Sequence, residues 1–144
     1  MDFKTADVKS LRIFYREAGD PSKPTIVLLH GFPSSSYQFH DLVPRLEGRF
    51  HVIAPDYPGM GFTDAPAPTV LRPTFDDVAT AIDAFIAERA PGPLILYLHD
   101  FGGPVGMRDG PSRADRRPSL SELHDFSRGL EPRALESLRA DRRS

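Results

Sequence analysis

The sequence predicts an α/β protein with a mostly parallel sheet flanked by helices, and three observations carry that reading. Ile26-Val27-Leu28-Leu29, His51-Val52-Ile53-Ala54 and Leu94-Ile95-Leu96-Tyr97-Leu98 are apolar without alternation, as expected of strands covered on both faces. Segments with apolar residues at helical spacing separate these runs. Strand, helix, strand, helix, strand at this spacing implies right-handed crossovers and a parallel sheet.

Each element has a local reason. Leu11, Ile13 and Tyr15 alternate with Arg12, Phe14 and Arg16, the pattern of a half-exposed strand, and Gly19-Asp20-Pro21 turns the chain. Ser34-Ser35-Ser36 supplies N-cap candidates ahead of Phe39, Leu42, Val43 and Leu46, with Pro44 expected to kink or split that helix and Gly48 to close it. Pro55, Pro58, Pro66, Pro68 and Pro73 make the stretch from 55 to 73 mostly loop. Thr74 and Asp77 form a capping-box pattern before the stripe Phe75, Val78, Ala79, Ile82, Phe85 and Ile86, and Pro91-Gly92-Pro93 ends that helix.

Composition bounds the function. The chain has 144 residues, 40% of them hydrophobic and 26% charged, which suits one soluble domain with a single core. Its apolar runs are too short for a transmembrane helix, and Met1-Asp2-Phe3-Lys4 opens no secretory signal. With no cysteine and five histidines, disulfides, thiolate metal sites and thiol nucleophiles are excluded, and no metal or cofactor is expected. The expected location is the cytoplasm. A net charge of −2 gives no electrostatic case for nucleic acid. That average hides a break: residues 1–107 carry a net −4, whereas 108–144 carry +2 from 9 Arg and 7 acids. The tail also lacks Val, Ile and Tyr. The division expected is therefore an α/β unit over 1–107 and a divergent Arg-rich tail over 108–144.

Three segments fall where buried strands end, the edge at which open α/β sheets bind ligands. They are His30-Gly31-Phe32-Pro33, Asp56 to Thr63, and Leu98-His99-Asp100-Phe101-Gly102-Gly103. Singly, each has a plain explanation. His-Gly after a strand is commonly a turn, Gly59-x-Gly61 lacks the third glycine of a dinucleotide fingerprint, and Asp100 suits the N-cap of a following helix.

In this order, however, the three segments resemble the α/β-hydrolase superfamily, and within it the aspartate-nucleophile branch of epoxide hydrolases and dehalogenases. The resemblance covers the N-terminal part, about residues 1–107. It implies an α/β-hydrolase-type sheet, truncated after the nucleophile elbow. Asp100 falls on the nucleophile position and Gly102 on the second small position of the elbow, with Leu98 replacing the first. Phe32 and Phe101 fall where the family supplies oxyanion-hole backbone N–H groups. His30, Gly31, Pro33, His99, Gly102 and Gly103 complete the motifs, with His99 expected to pack or hydrogen-bond rather than act as a base. Phe101 stands where haloalkane dehalogenases place a halide-binding Trp, which disfavours haloalkanes. The implied chemistry is an epoxide-hydrolase-type reaction through an alkyl ester on Asp100, with a small-molecule substrate. An aspartate is ionised at neutral pH without help from a base, and a helix N-terminus favours the anion.

The family's acid, His base and cap have no recognisable match after Met107. His124 and Asp125 are the candidates in the tail, Ser119 and Glu122 suggest a capping box before Leu120, Leu123 and Phe126, and Glu131-Pro132 a second short helix. A tail that is short helices or disordered, and possibly out of frame, leaves a second reading open: a non-catalytic fragment or binding module. With no later β-branched run, Leu94–Leu98 is expected to be an exposed edge strand, prone to self-association.

Overall fold

The computed structural model describes residues 1–65, 74–107 and 119–122. Among the described residues, six strands form one mixed sheet: β1 (Asp2–Val8), β2 (Leu11–Ala18), β3 (Thr25–Leu29), β4 (His51–Pro55), β5 (Leu94–Leu98) and β6 (Ser119–Glu122), in the order β1-β2-β4-β3-β5-β6. β1 and β2 form an antiparallel hairpin, β2 is antiparallel to β4, and β4, β3, β5 and β6 are parallel. β1 has no clear sequence signature because it is an edge strand, exposed at all positions but Ala6 and Val8.

The three apolar runs are buried as their composition demands. Alternate residues serve opposite faces: Val27 and Leu29 join one core cluster with Ile53, Leu96 and Leu98, while Ile26 and Leu28 join another with Val52, Ala54 and Tyr97. The first face is covered by α2 (Phe75–Arg89) through Val78, Ile82, Phe85 and Ile86. The second is covered by the segment between β3 and β4, through Phe39, Leu42, Val43 and Leu46. Pro44 does split that segment, into one 3₁₀ turn, Ser36–Phe39, and a short helix, α1 (Val43–Leu46), with the proline in its first turn. Thr74 and Asp77 make both bonds of the capping box at the start of α2.

Two expectations about the tail are corrected. Ser119–Glu122 is a strand rather than the start of a helix, and it pairs in parallel along β5 from Ile95↔Ser119 to Leu98↔Glu122. Leu94–Leu98 is therefore not an edge strand, so the surface on which self-association was expected is occupied. The physical reason is that a buried parallel strand offers a row of backbone donors and acceptors, and an extended segment can satisfy them without strong β propensity of its own. His124, Asp125, the second tail helix and the prolines from Pro66 to Pro73 lie outside the described residues.

The chain leaves β3 for β4 on one side and then returns to β5 on the other, so β3 lies at a topological switch point. The C-terminal ends of β4, β3 and β5 carry the three sequence motifs side by side. Ile82 is fully buried between α2 and the sheet. Ile82→Ala should lower the unfolding free energy by about 2–5 kcal/mol, read by urea denaturation, because the cavity it leaves can collapse only partly.

Candidate active site

The register of β3 and β5 builds the site. Leu29 pairs with Leu98, so two residues further on Gly31 lies beside Asp100. Asp100 is exposed and has φ 49°, a left-handed conformation that a non-glycine residue adopts at a cost. This sharp turn ends β5 and starts α3 (Gly102–Gly106), with the Gly103 N–H bonded to the Asp100 carbonyl at 2.9 Å.

Close packing holds the turn. A Cβ on Gly102 would stand 2.5 Å from the Leu29 carbonyl oxygen, so the second small position of the elbow must be glycine. Leu98, at the first position, is accommodated by Gly106, where a Cβ would meet the Leu98 Cδ2 at 2.3 Å. One glycine on α3 thus makes room for the branched side chain. Gly103, in contrast, has open space where a side chain would go.

The Phe32 N–H donates to Asp100 Oδ1 at 2.9 Å. That bond, with the neighbouring Phe101 N–H contributing, holds the Asp100 carboxyl below its ordinary pKa. Of the two backbone groups singled out from the sequence, the Phe32 N–H is brought across to the Asp100 carboxylate, and Phe101 follows Asp100 in the chain. Gly31 is required beside them, because its Cβ would lie 3.0 Å from Asp100 Oδ1 and 2.8 Å from His99 Nδ1. His99 is half-buried, and Phe32–Pro33 is a cis peptide.

His30 is fully buried and serves the backbone. Its Nε2 accepts the Tyr57 N–H at 3.2 Å, so the proton is on Nδ1, which donates to the Gly31 carbonyl at 2.9 Å. The Tyr57 ring stacks on the imidazole at 3.9 Å between centroids, and its hydroxyl donates to the His30 carbonyl at 2.8 Å. Burial pushes the Tyr57 phenol up, with the Asp100 charge adding to the shift.

Asp56 is the other buried organiser. Its Oδ1 accepts the Ser36 N–H at 2.6 Å and its Oδ2 the Phe62 N–H at 2.9 Å, while its carbonyl accepts the Thr63 hydroxyl. Gly61, at φ +56°, passes so close to this carboxylate that a Cβ would overlap it. The Asp56–Thr63 motif is therefore structural, tying the loop after β4 to the loop after β3. The sequence marks Tyr57 and Asp56 only as loop residues; their bonds to His30 and Ser36 carry no local signal.

An aromatic wall flanks Asp100. Phe101 lies 6.1 Å from Phe32, 4.5 Å from Phe75 and 5.8 Å from Tyr57 between ring centroids. Among the described residues, no group of three or more His, Cys, Asp or Glu side chains is arranged to hold a metal, and no helix is long and apolar enough to cross a membrane.

A sharp turn after a buried parallel strand thus presents the Asp100 side chain to the Phe32 N–H. The chain belongs to the alpha/beta hydrolase family, which it matches over residues 26–142, and to the dehalogenase and epoxide hydrolase branch of it. It is 44% identical over 98 residues to the uncharacterized hydrolase YNR064C of Saccharomyces cerevisiae, covering 68% of this chain and 33% of that protein. It is 30% identical to a haloalkane dehalogenase of Mycobacterium marinum, covering 97% of this chain and 48% of the relative. The crystal structure of epoxide hydrolase VrEH1 from Vigna radiata superposes with a TM-score of 0.66 at 29% identity, over 73% of this chain and 32% of that one. The chain thus spans between a third and a half of the length of these proteins.

The His30 arrangement has a pH signature. Burial, the largest cause, lowers the imidazole pKa, against the opposing effects of the Gly31 carbonyl and the Asp56 charge. The unfolded chain takes up a proton near pH ~6.5 while the folded chain does not. Stability from this site should therefore be complete above about pH 6.5 and decline as the pH falls below it. Urea unfolding across that window, with the His30 ring protons followed by NMR, checks this; a His30 that titrates at its ordinary value would contradict it.

Proposed function

We propose that Asp100 is the nucleophile of an epoxide-hydrolase-type reaction. The observation that carries this reading is an exposed carboxylate that two backbone N–H groups hold below its ordinary pKa at the C-terminal edge of the sheet. In the first step a carboxylate oxygen of Asp100 bonds to an epoxide carbon, and the C–O bond of the ring breaks. The alkoxide released takes a proton from solvent or from an acid, and an alkyl ester remains on the enzyme. In the second step water attacks the carbonyl carbon of that ester. Negative charge then develops on the oxygen facing the Phe32 and Phe101 N–H groups, which stabilise it without having to reorganise. A base takes the water proton, the bond between the carbonyl carbon and the alkyl oxygen breaks, and the diol leaves with that proton as the Asp100 carboxylate is restored.

An epoxide fits better than a haloalkane. Halide departure is helped by a side-chain N–H donor, and the ring beside the nucleophile is a phenylalanine, which has none. The Phe32, Phe101 and Phe75 rings instead suit an apolar carbon skeleton.

The second step also needs a base to activate water. The alternative reading is a non-catalytic fragment or binding module, which forms no ester and does not turn over.

Intact-mass spectrometry after incubation with a reactive epoxide separates these readings. The proposal expects one stoichiometric adduct, mapped to Asp100 and absent in Asp100→Asn. Turnover without an adduct that survives Asp100→Asn would remove the aspartate mechanism. Sustained turnover lost in His124→Ala would assign the base to the tail.

A further inference from the structure

The Phe32 N–H can stabilise charge on Asp100 only if the peptide that carries it is held in one orientation, and the residue bearing that peptide is a glycine. Gly31 must lack a side chain because of its contact with Asp100 and His99. That leaves its two backbone dihedrals less restricted than at any other residue type. The strand offers no help, since β3 ends at Leu29.

Two bonds replace the missing restraint, one on each peptide flanking Gly31. On the C-terminal side, the Gly31 carbonyl accepts from His30 Nδ1 at 2.9 Å. On the N-terminal side, the Gly31 N–H donates to Gln38 Oε1 at 3.1 Å. With both planes held, the dihedrals between them are fixed, and so is the direction of the Phe32 N–H.

Gln38 is itself well anchored. It belongs to the 3₁₀ turn Ser36–Phe39, where its N–H donates to the Ser35 carbonyl at 3.1 Å and the Ser35 side chain caps the Tyr37 N–H at 3.2 Å. The same turn is fastened through the Ser36 N–H to the buried Asp56 carboxylate. Phe39, the next residue, is fully buried in the core.

We infer that Gln38 is a positioning residue of the candidate site: its side-chain oxygen holds the Gly31 amide and so aims the Phe32 N–H at Asp100. The inference deepens the proposed role of Asp100 and rests on it for its catalytic meaning. Asp56 thereby acts on Asp100 at a distance, through Ser36, Gln38, Gly31 and Phe32. Gln38 touches no reacting atom.

The test uses amide NMR of the full chain and needs no substrate, so it reads Gln38 independently of whether Asp100 accepts an alkyl group. As Asp100 takes up a proton in acid, an N–H bonded to its carboxylate shifts. In the wild type both Phe32 and Phe101 amides should follow that titration. Gln38→Met keeps the bulk and removes the acceptor, and should cut the amplitude at Phe32 severalfold while leaving that at Phe101 unchanged. The Gly31 amide should exchange with solvent up to about tenfold faster, the range expected for one lost hydrogen bond. Gln38→Asn, a milder change whose shorter side chain falls short of Gly31, should behave the same way. An unchanged Phe32 amplitude in both variants would overturn the inference. An equal loss at Phe32 and Phe101 would also overturn it, because the elbow as a whole would then have loosened.

Discussion

The peptide linking Gly31 and Phe32 is the constraint on which the site depends. Its carbonyl and its N–H lie in one rigid plane and point in opposite directions. His30 takes the carbonyl and Asp100 takes the N–H, so the orientation of one bond dictates the other. His30 donates from Nδ1, and because its Nε2 accepts the Tyr57 N–H, which needs a free lone pair there, the ring is the neutral Nδ1–H form. A buried imidazole that is easily read as a catalytic base thus spends both nitrogens on backbone groups. Its contribution to any chemistry is the direction of a neighbouring dipole.

The sheet makes this possible by bringing three motifs, far apart in sequence, to adjacent strand ends. Paired in register, β3 and β5 set Gly31 against Asp100, and β4 delivers Asp56 and Tyr57 from the other side of β3. The strained backbone at Asp100 costs about 1–3 kcal/mol. It persists because its surroundings leave no alternative: Gly102 lies against the Leu29 carbonyl, Gly106 against Leu98, and the carboxylate is tied across to the next loop. Strain at that residue keeps the carboxylate out of the strand and exposed. A thermodynamic preference for the ionised form follows from the two N–H donors, with no need to invoke a long helix behind them.

Much of this was legible in the sequence, for identifiable reasons. Strands buried on both faces have to be apolar throughout, so β3, β4 and β5 stand out; α2 is marked by its stripe and its capping box. β1 is not legible because an exposed edge strand is free to carry Asp2, Lys4 and Asp7. β6 is not legible because Ser-Leu-Ser-Glu has no intrinsic strand signal, and its pairing answers a demand made by the backbone of β5. At the site, Asp100 and the Phe32 and Phe101 amides are singled out only through the family resemblance that the order of the motifs carries. The tautomer of His30, the reach of Gln38 to Gly31 and the accommodation of Leu98 by Gly106 depend on distances between loops, which no local pattern encodes.

Backbone donors hold the Asp100 side chain as a carboxylate. Carbon-detected NMR of the side-chain carboxyl, followed through an acid titration of the wild-type chain, measures this directly. Asp100 should titrate below the ordinary aspartate value of ~3.9. A midpoint at or above that value would contradict this, showing that the Phe32 and Phe101 N–H groups do not stabilise charge at Asp100.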